Sequence, residues 1–248
     1  MSENYTELSK SSTFIRKLAI AAQPIYAAHM QIMKDNDYDL NFDELGTPKE
    51  KLIKGMINAI GSISNYFDDL YKTLDFLRVD KRKIQHLYPD TISSEIYYKY
   101  HYDNFVIRIM TSFDLCGKLG NVVYQLNIQE RYANGYAFIT HSDIRELEPA
   151  QKGAELSDFL ENFKQQRHLK VHKGENPENR FDKIVYWDTI NKIVSPGEPT
   201  SEVLEDYTQE EINAAVDEVE QQINEASRYV VAFIDSMEPK QDEIISNY

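Results

Sequence analysis

The stretch from Ser93 to Gln129 constrains the fold more than any other part of the chain. It reads SSEIYYKYHYDNFVIRIMTSFDLCGKLGNVVYQLNIQ and places apolar residues on nearly every face of a helix, among them Phe105, Ile109, Phe113, Leu119 and Val123. A helix that is apolar all round belongs in the centre of a packed structure. Ser93 or Ser94 supplies an N-cap oxygen, and Glu95 lies in the first turn, where the helix dipole favours a carboxylate. Gly117 and Gly120 lower helix propensity but let a neighbouring element come close. Arg108, Asp114 and Lys118 are conspicuous in such a helix, because buried charges need partners. Asp114 and Lys118 stand at i,i+4 and can pair with each other. The alternative is that Asp114 or Arg108 faces a polar site.

The remaining periodic segments are also helical. Thr13 to about Lys34 carries Phe14, Ile15, Leu18, Ala22 and Ile25 near 3.6 spacing, with Ser12 or Thr13 as cap and Pro24 as a kink or break. Asp35–Gly46 has aspartates at positions 35, 37 and 39 but lacks the glycine and terminal glutamate of a calcium loop, so it reads as a solvated loop. Thr47-Pro48 starts a helix that runs to about Leu77. Residues 78–92 read as a basic connector, and residues 130–150 as irregular and aromatic. Ala150 to about His172 is helical, with Leu156, Phe159, Leu160 and Phe163 inward and Gly174 as a natural residue just past its end. A shorter amphipathic helix spans Phe181–Val194, a break follows at Ser195–Pro199, and a last helix covers about Thr208–Met237. Nine Gly and eight Pro in 248 residues leave little room for the tight turns of an all-β fold. The expected fold is all-α, a bundle of about six helices around the long helix of residues 93–129. Residues 1–200 form the bundle, and residues 201–248 form an acidic C-terminal helix packed on the same domain.

Charge is unevenly distributed. The chain carries a net charge of -14, of which residues 201–248 supply -11, from 13 Asp/Glu and 2 Lys/Arg. The nearly balanced first 200 residues can therefore carry a basic patch, as phosphate binding requires. A single cysteine, Cys116, excludes an internal disulfide and fits a reducing compartment. The polar N-terminus has no apolar signal segment, and no window approaches a membrane span. A cytoplasmic location is expected.

The candidate chemistry lies at Gln165–Gly174, QQRHLKVHKG. From Lys164 to Lys173 there are four Lys/Arg and no Asp/Glu. His168 and His172, at i,i+4, suit two zinc ligands, but no third ligand and no HExxH motif accompany them, so no metal or other cofactor is expected. A histidine titrating near neutrality can exchange a proton, and an arginine can hold a phosphate bidentately. Together Arg167 and His172 suit metal-free RNA cleavage by the neighbouring 2′-hydroxyl. Five residues apart on an ideal helix they point about 140° apart. The helix must end or distort between them, or a second subunit must complete the site. A plain basic helix terminus that complements the helix dipole explains the same residues.

Arg167, followed by His168 and then His172 at the end of a helix, resembles the signature of the HEPN superfamily, an arginine followed after four to six residues by histidine. The polar residue after the arginine, often Asn, Asp or His, is His168 here. The long helix YYKYHYDNFVIRIMTSFDLCGKLGNVVYQL followed by RHLKVHKG is most similar to the Cthe_2314-like branch, over roughly residues 93–195. The resemblance implies a small helical bundle that dimerises and brings two motifs together. It implies either a metal-independent endoribonuclease of a toxin–antitoxin or defence system, or a member that only binds RNA or nucleotides. Arg167 would polarise the phosphate, His172 would act as acid and base, and His168 would orient or support. Lys170 is expected to be a supporting residue, and Asp114, from its place in the buried helix rather than from the resemblance, is expected to support the site as a partner to Arg167. Some nuclease members carry a tyrosine two residues after the histidine; Gly174 stands there in this chain. The expected partners are RNA or a nucleotide, a second copy of the chain and an antitoxin-like protein, with no membrane. A different class remains open: a non-catalytic helical module whose acidic C-terminal segment docks a basic partner.

Overall fold

The computed structural model describes residues 8, 10–88, 93–169 and 199–246, together with residues 181, 184, 186, 187, 190 and 193. Among the described residues there are eight α-helices and no strand, so the protein is all-α. The helices are α1 (Thr13–Asp35), α2 (Pro48–Leu77), α3 (Lys81–Leu87), α4 (Ser94–Tyr124), α5 (Gly135–Ile139), α6 (Glu148–His168), α7 (Pro199–Asp235) and α8 (Glu238–Ser246). Short 3-10 turns lie at Phe42–Glu44 and Glu130–Tyr132. No helix among the described residues is long and apolar enough to cross a membrane.

Local chemistry sets several boundaries. Ser12 caps α1 by accepting from the Ile15 amide at 3.2 Å, and the helix runs unbroken through Pro24. α2 begins with a reciprocal capping box: the Glu50 amide donates to the Thr47 hydroxyl at 3.2 Å, and the Thr47 amide donates to the Glu50 carboxylate at 2.7 Å. The expected connector at 78–92 contains α3, started by Asp80, whose carboxylate accepts from the Arg82 amide at 2.8 Å. α4 stops at Tyr124 rather than Gln129, because Gln125 and Asn127 take left-handed backbone conformations (φ 53 and 57). α7 starts at Pro199 rather than near Thr208. Proline is tolerated in a first turn, and the buried Thr208 hydroxyl donates back to the Leu204 carbonyl at 2.7 Å inside the helix.

The chain divides into two compact units. The first comprises residues 1–68, 111–159 and 226–248, and the second residues 69–110 and 160–225. In the first unit, Asp235 at the end of α7 accepts from the Ser12 hydroxyl at 2.5 Å and the Phe14 amide at 3.1 Å. Gln241 of α8, fully buried, donates to the Phe14 carbonyl at 2.8 Å. The two glycines of α4 serve the close approach read from the sequence. A Cβ at Gly117 would meet the Asn134 carbonyl at 2.3 Å, and one at Gly120 would meet the Phe138 ring at 2.4 Å. α5 and its cap thus lie directly on α4.

In the second unit, the first half of α4 is surrounded. The Tyr98 hydroxyl donates to the Val79 carbonyl at 2.5 Å, and burial pushes that phenol far above its usual range. Arg108, singled out as a charge needing a partner, reaches Asp69 of α2 at 2.9 Å. Lys72 first, and Arg108 with it, holds the Asp69 carboxyl below its ordinary value. Arg78 binds Glu220 of α7 at 2.6 Å, and Tyr71 donates to Asn224 at 2.9 Å.

Candidate functional site

α6 delivers the basic stretch. Residues 160–168 of this helix belong to the second unit, where Leu160 and Phe163 are buried. The Phe163 ring meets Phe105 of α4 edge-on at 5.7 Å. One turn on, Gln166 accepts a hydrogen bond from the Tyr102 hydroxyl at 3.3 Å. These two contacts fix the last turn of α6 against α4. Arg167 and His168 follow, both exposed at the end of the helix. Cations there complement the unpaired carbonyls of a helix C-terminus. Arg167 has no hydrogen-bond or ion-pair partner among the described residues. Its guanidinium is open to a planar anion, for which its forked donors are suited.

Leu169, directly after α6, is π-helical rather than α-helical. Lys170 and His172 lie outside the described residues. So does Gly174.

Asp114 lies in the first unit, whereas Arg167 and His168 lie in the second. Its carboxylate faces the start of α5, where the Gly135 amide donates to it at 3.5 Å. The Asp114–Lys118 ion pair suggested by their spacing is not formed. The unpaired amides at a helix N-terminus draw the carboxylate instead. Asn134 completes that cap by accepting from the Ala137 amide at 2.8 Å.

Two residues that sequence reasoning assigned no role frame the basic stretch. Tyr102 touches Gln166 before it, and the buried Phe181 after it packs 5.2 Å from the Tyr102 ring and 6.0 Å from Tyr98. Both flanks of the motif are thus anchored on the same two turns of α4. The sequence signal was the aromatic run YYKYHY at 97–102, which had been absorbed into the general reading of a buried helix. Within that run His101 stacks on Phe76 at 4.7 Å and meets Tyr97 at 4.5 Å; burial lowers its pKa. Cys116 is fully buried, and burial, with Asp114 nearby, pushes its thiol up, so it is no nucleophile. No three His, Cys, Asp or Glu side chains converge as a metal site among the described residues.

The family model of Cthe_2314-like HEPN proteins matches residues 52–238. That range holds α2 from its second turn, α3 to α7 and the whole basic stretch. No curated protein and no solved structure matches the chain. The matched range covers most of the 248 residues, and the all-α architecture agrees with it. The chain therefore belongs to the Cthe_2314-like HEPN family.

Proposed function

We propose that the protein is a metal-independent endoribonuclease acting as a homodimer, with Arg167 as its phosphate-binding residue and His172 as its acid/base. The observation that carries this reading is Arg167, exposed and without a partner among the described residues, at the end of α6. HEPN membership supports the reading, since the superfamily includes ribonucleases.

In the proposed reaction His172 takes the proton of a ribose 2′-hydroxyl, and the 2′-oxygen attacks the adjacent phosphorus. Arg167 offsets the charge that develops on the phosphoryl oxygens. The P–O5′ bond breaks, and the 5′-oxygen leaves as an alcohol after receiving a proton from a second histidine, His172 of the partner subunit. The products are a 2′,3′-cyclic phosphate and a 5′-hydroxyl. Lys170 adds to the local positive field that draws RNA to an otherwise acidic chain, and His168 orients or supports. In a toxin or defence setting, an antitoxin-like partner would cover this basic end.

A second reading, binding of RNA or a nucleotide without cleavage, is favoured by Gly174, which stands where some nuclease members have tyrosine. Incubating the full chain with RNA in EDTA separates the two. Cleavage leaving cyclic phosphate ends, lowered about 10²–10⁴-fold by His172→Ala, is expected for an acid/base residue. RNA retention that weakens steeply with salt and leaves the strands intact would establish binding alone. Equal cleavage by wild type and His172→Ala would sink the assignment.

A further inference from the structure

A cavity of about 390 Å³ lies within the first unit, between α2, α4 and the segment that follows α4. It is separate in sequence and in unit from the basic end of α6. Its walls are apolar and only half covered: Ala59 on α2, Leu115 and Val122 on α4, Ile128 beyond it. Lys118 enters from α4, half-buried, and has no hydrogen-bond or ion-pair partner among the described residues. Glu130, in the segment that follows α4, also belongs to the lining; it is exposed and has no hydrogen-bond or ion-pair partner among the described residues. These two charges line one cavity and do not bind each other. Asn58 and Ser62 add an amide and a hydroxyl at the rim.

The outer wall is built rather than loose. Asn121 donates to the Ile128 carbonyl at 3.0 Å and accepts from the Ile128 amide at 3.1 Å, closing the turn of residues 122–127. Gln125 and Asn127 hold left-handed conformations within that turn (φ 53 and 57). A preformed apolar cavity of a few hundred Å³ with a small number of placed polar groups is the usual form of a small-molecule site. The Lys118 ammonium is solvent-reached and free to meet an anionic group, and covering the half-exposed apolar side chains beside it is favourable.

We propose that this cavity binds a small zwitterion with an apolar body, of the hydrophobic α-amino acid class. The carboxylate pairs with Lys118, the ammonium turns to Glu130 and the Asn58 amide oxygen, and the apolar group rests against Leu115 and Val122. A single lysine with a carboxylate in the same lining disfavours a multiply charged anion, because Glu130 repels it. A simple amine lacks the group that Lys118 requires.

The test uses the full-length protein and four probes, L-phenylalanine, L-leucine, 3-phenylpropionate and phenethylamine, in isothermal titration calorimetry and thermal unfolding. Either amino acid is expected to bind and to raise the unfolding midpoint with concentration. Phenylpropionate and phenethylamine, which lack one charge each, are expected to bind at least about tenfold more weakly. Lys118→Met keeps the apolar stem and removes the charge; it is expected to lose amino-acid binding about tenfold or more. Glu130→Gln, at an exposed position that leaves the fold intact, is expected to erase the preference for phenylalanine over phenylpropionate. Millimolar probes that give neither heat nor a midpoint shift would overturn the proposal. So would phenylpropionate binding as tightly as phenylalanine, or an unchanged affinity in both variants.

Discussion

Lys54 and Arg167 are both cations on helices of an acidic chain, yet they sit in opposite circumstances. Lys54 on α2 is 2% exposed. Its ammonium donates to the Phe42 carbonyl at 2.6 Å and the Leu45 carbonyl at 2.9 Å, and lies 4.9 Å above the Phe42 ring. It ties the segment before α2 to the helix and has nothing left to offer a ligand. Arg167 is exposed, ends its helix and has no partner among the described residues. The contrast separates charge that the fold consumes from charge that the fold presents. Only the second kind is available for chemistry, and neither net charge nor residue type distinguishes the two.

Substitution at each position should divide activity from stability. Arg167→Ala is expected to lower RNA cleavage about 10²–10³-fold, as loss of one transition-state donor does, while moving unfolding stability by less than about 0.5 kcal/mol. Cleavage assays and denaturant titrations on the same preparation check both halves. An Arg167→Ala protein that cleaves normally, or one that is grossly unstable, would break the contrast. Lys54→Met should do the reverse. It keeps the apolar bulk but strands two carbonyls, at about 1–3 kcal/mol each if they stay dry, so a loss of about 3 kcal/mol is expected. Its cleavage rate in native conditions should be unchanged. A neutral effect on the urea midpoint would mean that water replaces the ammonium.

The same distinction explains what the sequence made legible. The stripes of α1, α2 and α6 and the burial of α4 follow from apolar spacing, because burial of those faces outweighs every local preference along them. The close approach at Gly117 and Gly120 was legible for the same reason: a missing Cβ in a central helix has few other uses. α3 was not. Its seven residues, KRKIQHL, carry no readable stripe, and it depends on the Asp80 cap and on the burial of Ile84 and Lys81. The position of Arg167 near a helix end could be read from the periodicity, which carried the helix to about His172; α6 is α-helical as far as His168. The anchoring of that end could not be read. It depends on Tyr102 reaching Gln166 across 64 positions of sequence, and an aromatic run in a helix announces burial without naming its partner. Asp114 and Lys118 show the limit of spacing rules. An i,i+4 pair on one helix face was available, and Asp114 turned instead to the Gly135 amide.

His101 offers the finest test of the division, since it is neither ion-paired nor open to solvent. It lies against Phe76, Tyr97 and Tyr100, and burial lowers its pKa. The folded protein therefore binds this proton less readily than the unfolded chain, whose histidines titrate near 6.5. Above that value both states are neutral, and the residue adds no pH dependence. As pH falls through it, the unfolded state gains protons first, so stability drops with decreasing pH. His101→Phe keeps a ring against Phe76 and removes the titration. Its unfolding midpoint should fall less steeply than that of wild type below about pH 6.5. The acid limb of any pH–rate profile for RNA cleavage should be the same in both proteins, because that limb is assigned to His172. A cleavage profile that shifts with His101→Phe would mean that the aromatic run on α4 presents chemistry after all, and the line drawn between Lys54 and Arg167 would have to be moved.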